Sequence, residues 1–198
     1  GMVRSQVAGF PDVVAADGRT DAYVVGPGLA DEHRLTRAVA TALESGRPAV
    51  LDAEALALIS PGNAVITPHE GEFARLGFHP GADRIAGVQA AARQLQVVVL
   101  LKGAVTVVAE PGGRVFMNTE ASPDLATAGS GDVLSGLLGA MLARHFVGRQ
   151  PDLVEMAGLA ACAALVHGRA GALAGFPATS VDVADRVAEA VAWAAGAG

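Results

Sequence analysis

Apolar residues follow two alternating rhythms along the chain: short runs that close on glycine, proline or a charged residue, and longer stretches with apolar positions every three or four residues. Residues 21–28 (DAYVVGPG) read as a strand ending in a Gly-Pro-Gly turn, and residues 31–45 as a helix with Leu35, Val39 and Leu43 in register. The pattern returns as a strand at 49–52, a short helix at 53–59, a strand at 63–67 and the opening of a helix at 70–76. Such alternation through short loops predicts a doubly wound, mostly parallel α/β sheet. Residues 84–95 are helical by the spacing of Ile85, Val88, Ala92 and Leu95. The run 97–101 is apolar throughout, as befits a strand covered on both faces. Residues 106–109 and 115–118 flank Pro111-Gly112-Gly113 and predict a β-hairpin, which makes the sheet mixed. Helices at 131–145, 151–172 and 181–194 complete the reading, the last opening on the capping-type residues Ser180 and Asp182.

Composition narrows this picture. Of 198 residues, 52% are hydrophobic and only 4% aromatic, so the apolar mass is Ala, Val and Leu. That suits helices packed on a Val-rich sheet and argues against an all-β fold. The length predicts one domain over 1–198 with a core of its own. Lys plus Arg total 14 against 20 Asp plus Glu, giving a net charge of -6, and no basic run is present, so nucleic acid is not an expected partner. The longest apolar stretches, 97–109 and 133–143, fall short of the ~20 residues that span a bilayer. The first residues show no charged segment followed by an apolar one, so a cytoplasmic protein with no membrane partner is the expectation. The single cysteine, Cys162, excludes an internal disulfide and multi-cysteine zinc sites.

The segment LATAGSGDVLSG, residues 125–136, carries the most chemistry. Its glycines and serine sit where a loop becomes an apolar helix, which aims backbone N–H groups and the positive end of the helix dipole at one spot, an anion hole over Ala128, Gly129, Ser130 and Gly131. Asp132 in the first turn is either a good helix-start residue or the base beside a phosphate cradle. Lys102 and Gly103 end an apolar strand, where α/β folds bind ligands, although a solvated strand-end lysine would look the same; as a ligand residue Lys102 is expected to be replaceable by alanine with weakened nucleotide binding and unchanged thermal stability. In TPHEGEF (67–73) Thr67 reads as the cap, Pro68 as the first helical residue, and Glu70 and Glu72 as favourable first-turn charges. His69 is then surplus, since that reading leaves capping to Thr67. Asp52 could orient a metal or a hydroxyl, or cap the short helix after it, and Gly26-Pro27-Gly28 could admit a ligand or merely turn the chain. His33, His79, His145 and His167 have no partner at metal-ligand spacing, and with Cys162 read as structural or surface residues. No metal ligand is identifiable from the sequence.

Taken together and in this order, VVGPGL (24–29), LDAEAL (51–56), ITPHEGEFARL (66–76), VVVLLKGAVTVVA (97–109), LATAGSGDVLSGLLGAMLA (125–143) and ATSVDV (178–183) resemble the ADP- or ATP-dependent NAD(P)H-hydrate dehydratases, a branch of the ribokinase-like superfamily. The resemblance implies a three-layer sandwich. It implies that Gly28, His69 and Asp132 contact the hydrated nicotinamide nucleotide, with Asp132 catalytic. It further implies that Lys102, Gly103, Ala104, Val105, Thr106 and Gly131 contact the adenine nucleotide. The implied reaction is repair of the S form of the hydrate: its hydroxyl is phosphorylated by ADP or ATP in the presence of Mg2+, and loss of phosphate restores NAD(P)H. A homo-tetramer is implied as well.

The chain departs from the family pattern in three places. It begins at Gly-Met-Val-Arg, apparently just after the family's first strand-helix stretch, which carries a Gly-rich substrate loop; a sheet one strand short is the expectation. Glu54 and Ala57 stand in a segment where the family commonly shows Asp-Ala-Asp-Ala-Leu-Asn. Residues 119–124 replace a lead richer in glycine and asparagine. A ribokinase-like kinase for a vitamin or sugar alcohol would share the anion hole and Asp132, and an inactive nucleotide-binding homologue is the other alternative.

Overall fold

Six short strands form one sheet in chain order, β1 (Tyr23–Val25), β2 (Ala49–Leu51), β3 (Ala64–Ile66), β4 (Val98–Leu101), β5 (Thr106–Ala109) and β6 (Val115–Asn118). The computed structural model describes residues 18–119, 125 and 127–196. Strands β1 to β4 run parallel, while β5 returns antiparallel to β4 and pairs β6 in the predicted hairpin. Registers align Val25, Leu51, Ile66 and Val99 in one row across the parallel strands and Val50, Val65 and Val98 in the next. Because successive side chains point to opposite faces, these rows enter two separate cores.

Helices α1 (Glu32–Glu44), α2 (Glu70–Arg75) and α3 (Arg84–Leu95), with a 3-10 helix over Ala53–Leu58, cover the first row. Helices α4 (Ser130–His145) and α5 (Leu153–Ala174) cover the second through Leu134, Leu138, Leu142, Met156 and Ala160. The result is the expected three-layer α/β sandwich. Asp31, Asp83 and Asp152 cap α1, α3 and α5 by accepting from the backbone N–H of Arg34, Ala86 and Glu155, each worth about 1 kcal/mol.

Three expectations are corrected. The predicted helix over 181–194 is two helices, α6 (Ser180–Asp185) and α7 (Val187–Ala194). The ladder tightens to a bond from the Arg186 N–H to the Val183 carbonyl, 3.1 Å, and restarts after Arg186. Thr179, not Ser180, is the cap: its Oγ1 accepts from the Asp182 N–H, and the Asp182 carboxylate accepts from the Thr179 N–H. Helix α5 is also apolar and long enough, at 22 residues, to span a membrane by composition, although no uninterrupted apolar run in it reaches that length. Its buried face, including Ala157, Ala163, Ala164 and Ala170, lies against α4, the sheet and the C-terminal helices, as a core helix does.

Candidate functional site

Because β1 to β4 are parallel, the segments following all four emerge at one end of the sheet, bringing Gly28, Asp52, His69 and Lys102 to the same edge. Helix α4 starts at that edge. Its cap, Gly129, has φ +83, a left-handed conformation that glycine adopts without strain, and a Cβ there would come within 2.9 Å of Ser180 Oγ. The Ser130 N–H is taken by the Thr127 carbonyl, and those of Asp132 and Val133 by the Gly129 carbonyl.

Lys102 reaches across to this helix end. Its Nζ donates to Asp52 Oδ1 at 3.0 Å and lies 3.8 Å from Glu72 Oε2. A Cβ on Gly131 would lie 3.2 Å from that ammonium and 3.7 Å from Asp52 Oδ2, so glycine here leaves the helix end and the charge close without crowding. Asp52 is 2% exposed, and its other oxygen accepts from Ser135 Oγ at 2.8 Å. It makes no side-chain cap to the 3-10 helix. Asp52 therefore anchors the ammonium and ties β2 to α4. Lys102 is correspondingly not the solvated strand-end lysine of the alternative reading: removing it would leave a buried carboxylate without its cation.

At the end of β3 the capping assignment changes. His69, not Thr67, caps α2: its Nδ1 accepts from the Gly71 and Glu72 N–H groups at 3.0 and 3.3 Å, while Glu72 Oε2 accepts from the His69 N–H at 2.8 Å. This is a capping box with imidazole in the place of a hydroxyl. With Nδ1 accepting, Nε2 is the ring nitrogen left to donate, and it lies 3.6 Å from Glu72 Oε2. Thr67 is buried instead, its hydroxyl 3.5 Å from Ser135 Oγ.

A cavity of about 630 Å³ opens between these elements. His69, Lys102, Gly103, Ala104, Thr106, Ser130 and Gly131 line it, all predicted site residues. Helix α5 adds a wall the sequence reading missed, through Ala164, His167 and Gly168. His167, whose sequence context predicts a structural or surface role, is 6% exposed and has Nε2 3.2 Å from Ser130 Oγ. Burial pushes its imidazole down to about 4; the Ser130 backbone opposes that shift and the Lys102 charge adds to it. The ring is neutral at pH 7.

A protein-family model described as NAD(P)H-hydrate dehydratase matches residues 3–191. The chain belongs to the NAD(P)H-hydrate dehydratase family. The bifunctional NAD(P)H-hydrate repair enzyme Nnr of Mycobacterium tuberculosis is 46% identical over 152 residues, covering 69% of this chain and 32% of that protein. The ADP-dependent (S)-NAD(P)H-hydrate dehydratase of Neisseria meningitidis is 37% identical over 162 residues, covering 70% of this chain and 55% of that protein. The chain thus spans about a third of the length of the bifunctional relative and about half of the other. Among solved structures, the ADP/ATP-dependent NAD(P)H-hydrate dehydratase of Bacillus subtilis, co-crystallised with ATP/Mg2+, superposes with TM-score 0.72 at 29% identity, over 91% of this chain and 67% of that one.

Within this dehydratase-family fold, other predicted site residues lie outside the cavity wall. Asp132 is exposed in the first turn of α4, and Gly28 is exposed at the β1 turn. Val105, Ala128 and Gly129 stand beside lining residues without lining the cavity themselves. Glu54 and Ala57 are exposed on the 3-10 helix. The expectation on the first strand-helix stretch, and that on the 119–124 lead apart from Thr119, fall outside the described residues. Among the described residues no group of three His, Cys, Asp or Glu side chains could hold a metal ion.

Proposed function

We propose that this protein dehydrates the S form of NAD(P)H hydrate at the expense of ADP or ATP. The observation that carries the proposal is the Lys102 ammonium, held by Asp52 against the first turn of α4 at the mouth of a cavity that His69 also lines. A fixed cation and a helix N-terminus converging on one point favour the negative charge of a transferring phosphoryl group.

In this reading Gly28 and His69 bind the hydrated nicotinamide, His69 through its Nε2–H. Lys102, Gly103, Ala104, Val105, Thr106 and Gly131 bind the adenine nucleotide. The hydrate hydroxyl loses its proton to Asp132 and attacks the terminal phosphorus, forming the new O–P bond as the phosphoanhydride bond breaks and AMP or ADP departs. The backbone N–H groups of the Ala128 to Gly131 turn other than that of Ser130, which is given to Thr127, cradle the phosphoryl group. Hydroxide leaves a carbon poorly and phosphate leaves well, so C–O cleavage of the phosphorylated hydrate, with loss of a ring proton, restores the dihydronicotinamide.

Magnesium would enter with the nucleotide, since the described residues alone form no metal cage. Asp52, Glu72 and Asp132 outnumber Lys102, so a polyphosphate needs countercharge of its own, and Mg2+ typically arrives with phosphates and water rather than in an all-protein cage. Glu72, beside Lys102, is the carboxylate that would hold it, and the ion would supply neutralisation of the phosphate charge. The reading includes a cytoplasmic homo-tetramer, whose assembly sedimentation velocity measures. Asp132→Asn tests the chemistry: turnover of NADPH hydrate with ADP falls by roughly 10²-fold or more with unchanged thermal stability. An unchanged rate removes Asp132 from the mechanism.

A further inference from the structure

Arg84 is the first residue of α3, yet its guanidinium reaches back to the loop that follows β4. Its Nε donates to the Val105 carbonyl at 3.1 Å and Nη2 to the Lys102 carbonyl at 3.0 Å, while Nη1 bonds Oε1 of Glu70 at the start of α2. One planar cation therefore holds both ends of the Lys102–Val105 bend and ties it to the helix capped by His69.

Three features set this apart from an ordinary surface ion pair. Exposed pairs contribute little to stability, but here two of the three contacts go to main-chain carbonyls and the Arg84 side chain is only 22% exposed. Gly103 lies between the two carbonyls, and a Cβ on it would stand 2.6 Å from Arg84 Nη2, so the loop and the guanidinium fit only while that position is glycine. Of the residues Arg84 bonds, Glu70 and Lys102 line the cavity, as do Gly103 and Ala104 between its two carbonyl partners, whereas Val105 and Arg84 itself do not.

We infer that Arg84 is a positioning residue for the nucleotide site: it presets the 102–106 loop for the adenine nucleotide and couples that loop through Glu70 to the His69 turn. This rests on the reading that the loop takes the nucleotide. A loop held in its bound shape loses less freedom on binding, so the clamp acts on affinity. Lys102 keeps its own anchor on Asp52, which leaves the phosphoryl step less dependent on Arg84. Lysine cannot replace it, because a single ammonium does not offer a planar fork to two carbonyls and a carboxylate at once.

The test is calorimetric titration of ADP into the full chain, with steady-state kinetics and thermal unfolding of the same proteins. Arg84→Ala weakens ADP tenfold or more, Arg84→Lys does not restore it, and KM for ADP rises by a larger factor than kcat falls. Gly103→Ala, which pushes the guanidinium away, gives a similar loss, and adding it to Arg84→Ala costs little more, a non-additivity that follows from a shared contact. If the alanine variant does not fold, Arg84→Lys supplies the comparison, since it keeps the charge and the aliphatic stem. ADP affinity within twofold of wild type in a folded Arg84 variant, or losses from Arg84 and Gly103 that multiply, would overturn the inference even if the melting temperature fell. Wild-type protein that fails to bind ADP would instead overturn the underlying nucleotide reading, and the inference with it.

Discussion

The Lys102 ammonium and the Asp52 carboxylate, fifty positions apart in sequence, meet at 3.0 Å at the ends of two parallel strands. Asp52 is buried and also holds Ser135, so the pair joins β2, β4 and α4 at the point where a phosphoryl group is proposed to pass. Removing one member leaves the other short of its counter-charge.

Lys102→Ala is therefore expected to lower stability as well as nucleotide affinity. Breaking a buried pair from one side costs about 3–5 kcal/mol, and partial exposure of the lysine puts this case near 3 kcal/mol, or roughly 6–12 °C in melting temperature. The double variant Lys102→Ala, Asp52→Ala is less damaged than the sum of the two singles. A Lys102→Ala protein with wild-type melting temperature in the absence of nucleotide would show that Asp52 does not depend on it.

His69 performs two tasks that substitution separates. Asparagine caps helices well through its side-chain oxygen, so His69→Asn retains α2 and stays within about 0.5 kcal/mol of wild type, whereas His69→Ala loses about 1 kcal/mol. Both lack the imidazole Nε2–H, so both raise KM for the hydrate. Unfolding curves and hydrate kinetics on the pair decide the matter; if His69→Asn keeps wild-type KM, the residue is a cap alone.

His167 gives the fold an acid limit. Its imidazole has an ordinary value of 6.5 and is pushed down to about 4 in the folded protein, so below pH 6.5 the unfolded chain takes up a proton that the folded chain refuses. The stability present above pH 6.5 is lost as the pH falls toward 4, by an amount on the order of 3 kcal/mol. Denaturant titrations at pH 7 and pH 4.5 measure it, with His167→Gln expected to flatten that part of the difference. An equal pH dependence in wild type and variant would mean that His167 titrates normally.

Much of the site was legible because strand ends are marked in the sequence. Each apolar run stops at a residue the site uses or neighbours: Gly26, Asp52, Thr67, Lys102. The partner of each was less legible, since Lys102 meets Asp52 only when β2 and β4 flank β3 in the sheet. The His69 cap was hidden by imidazole being an unusual capping group, although Glu72 three positions on carried the spacing of a capping box. His167 had no local signal: it is one polar position on an alanine-rich helix, and only the packing of α5 beside the start of α4 brings it to Ser130. The break after Arg186 carries neither glycine nor proline, so periodicity ran through it.

The most direct test of the proposed activity follows reduced-nicotinamide absorbance and inorganic phosphate together, with NADPH hydrate, Mg2+ and either ADP or ATP. Absorbance is expected to recover only when nucleotide is present, with one phosphate released per ring restored, and both are lost in Asp132→Asn. Nucleotide consumed without recovered absorbance, leaving a stable phosphorylated product, would make the protein a kinase of another hydroxyl compound; no nucleotide consumption at all would contradict phosphoryl transfer at this site.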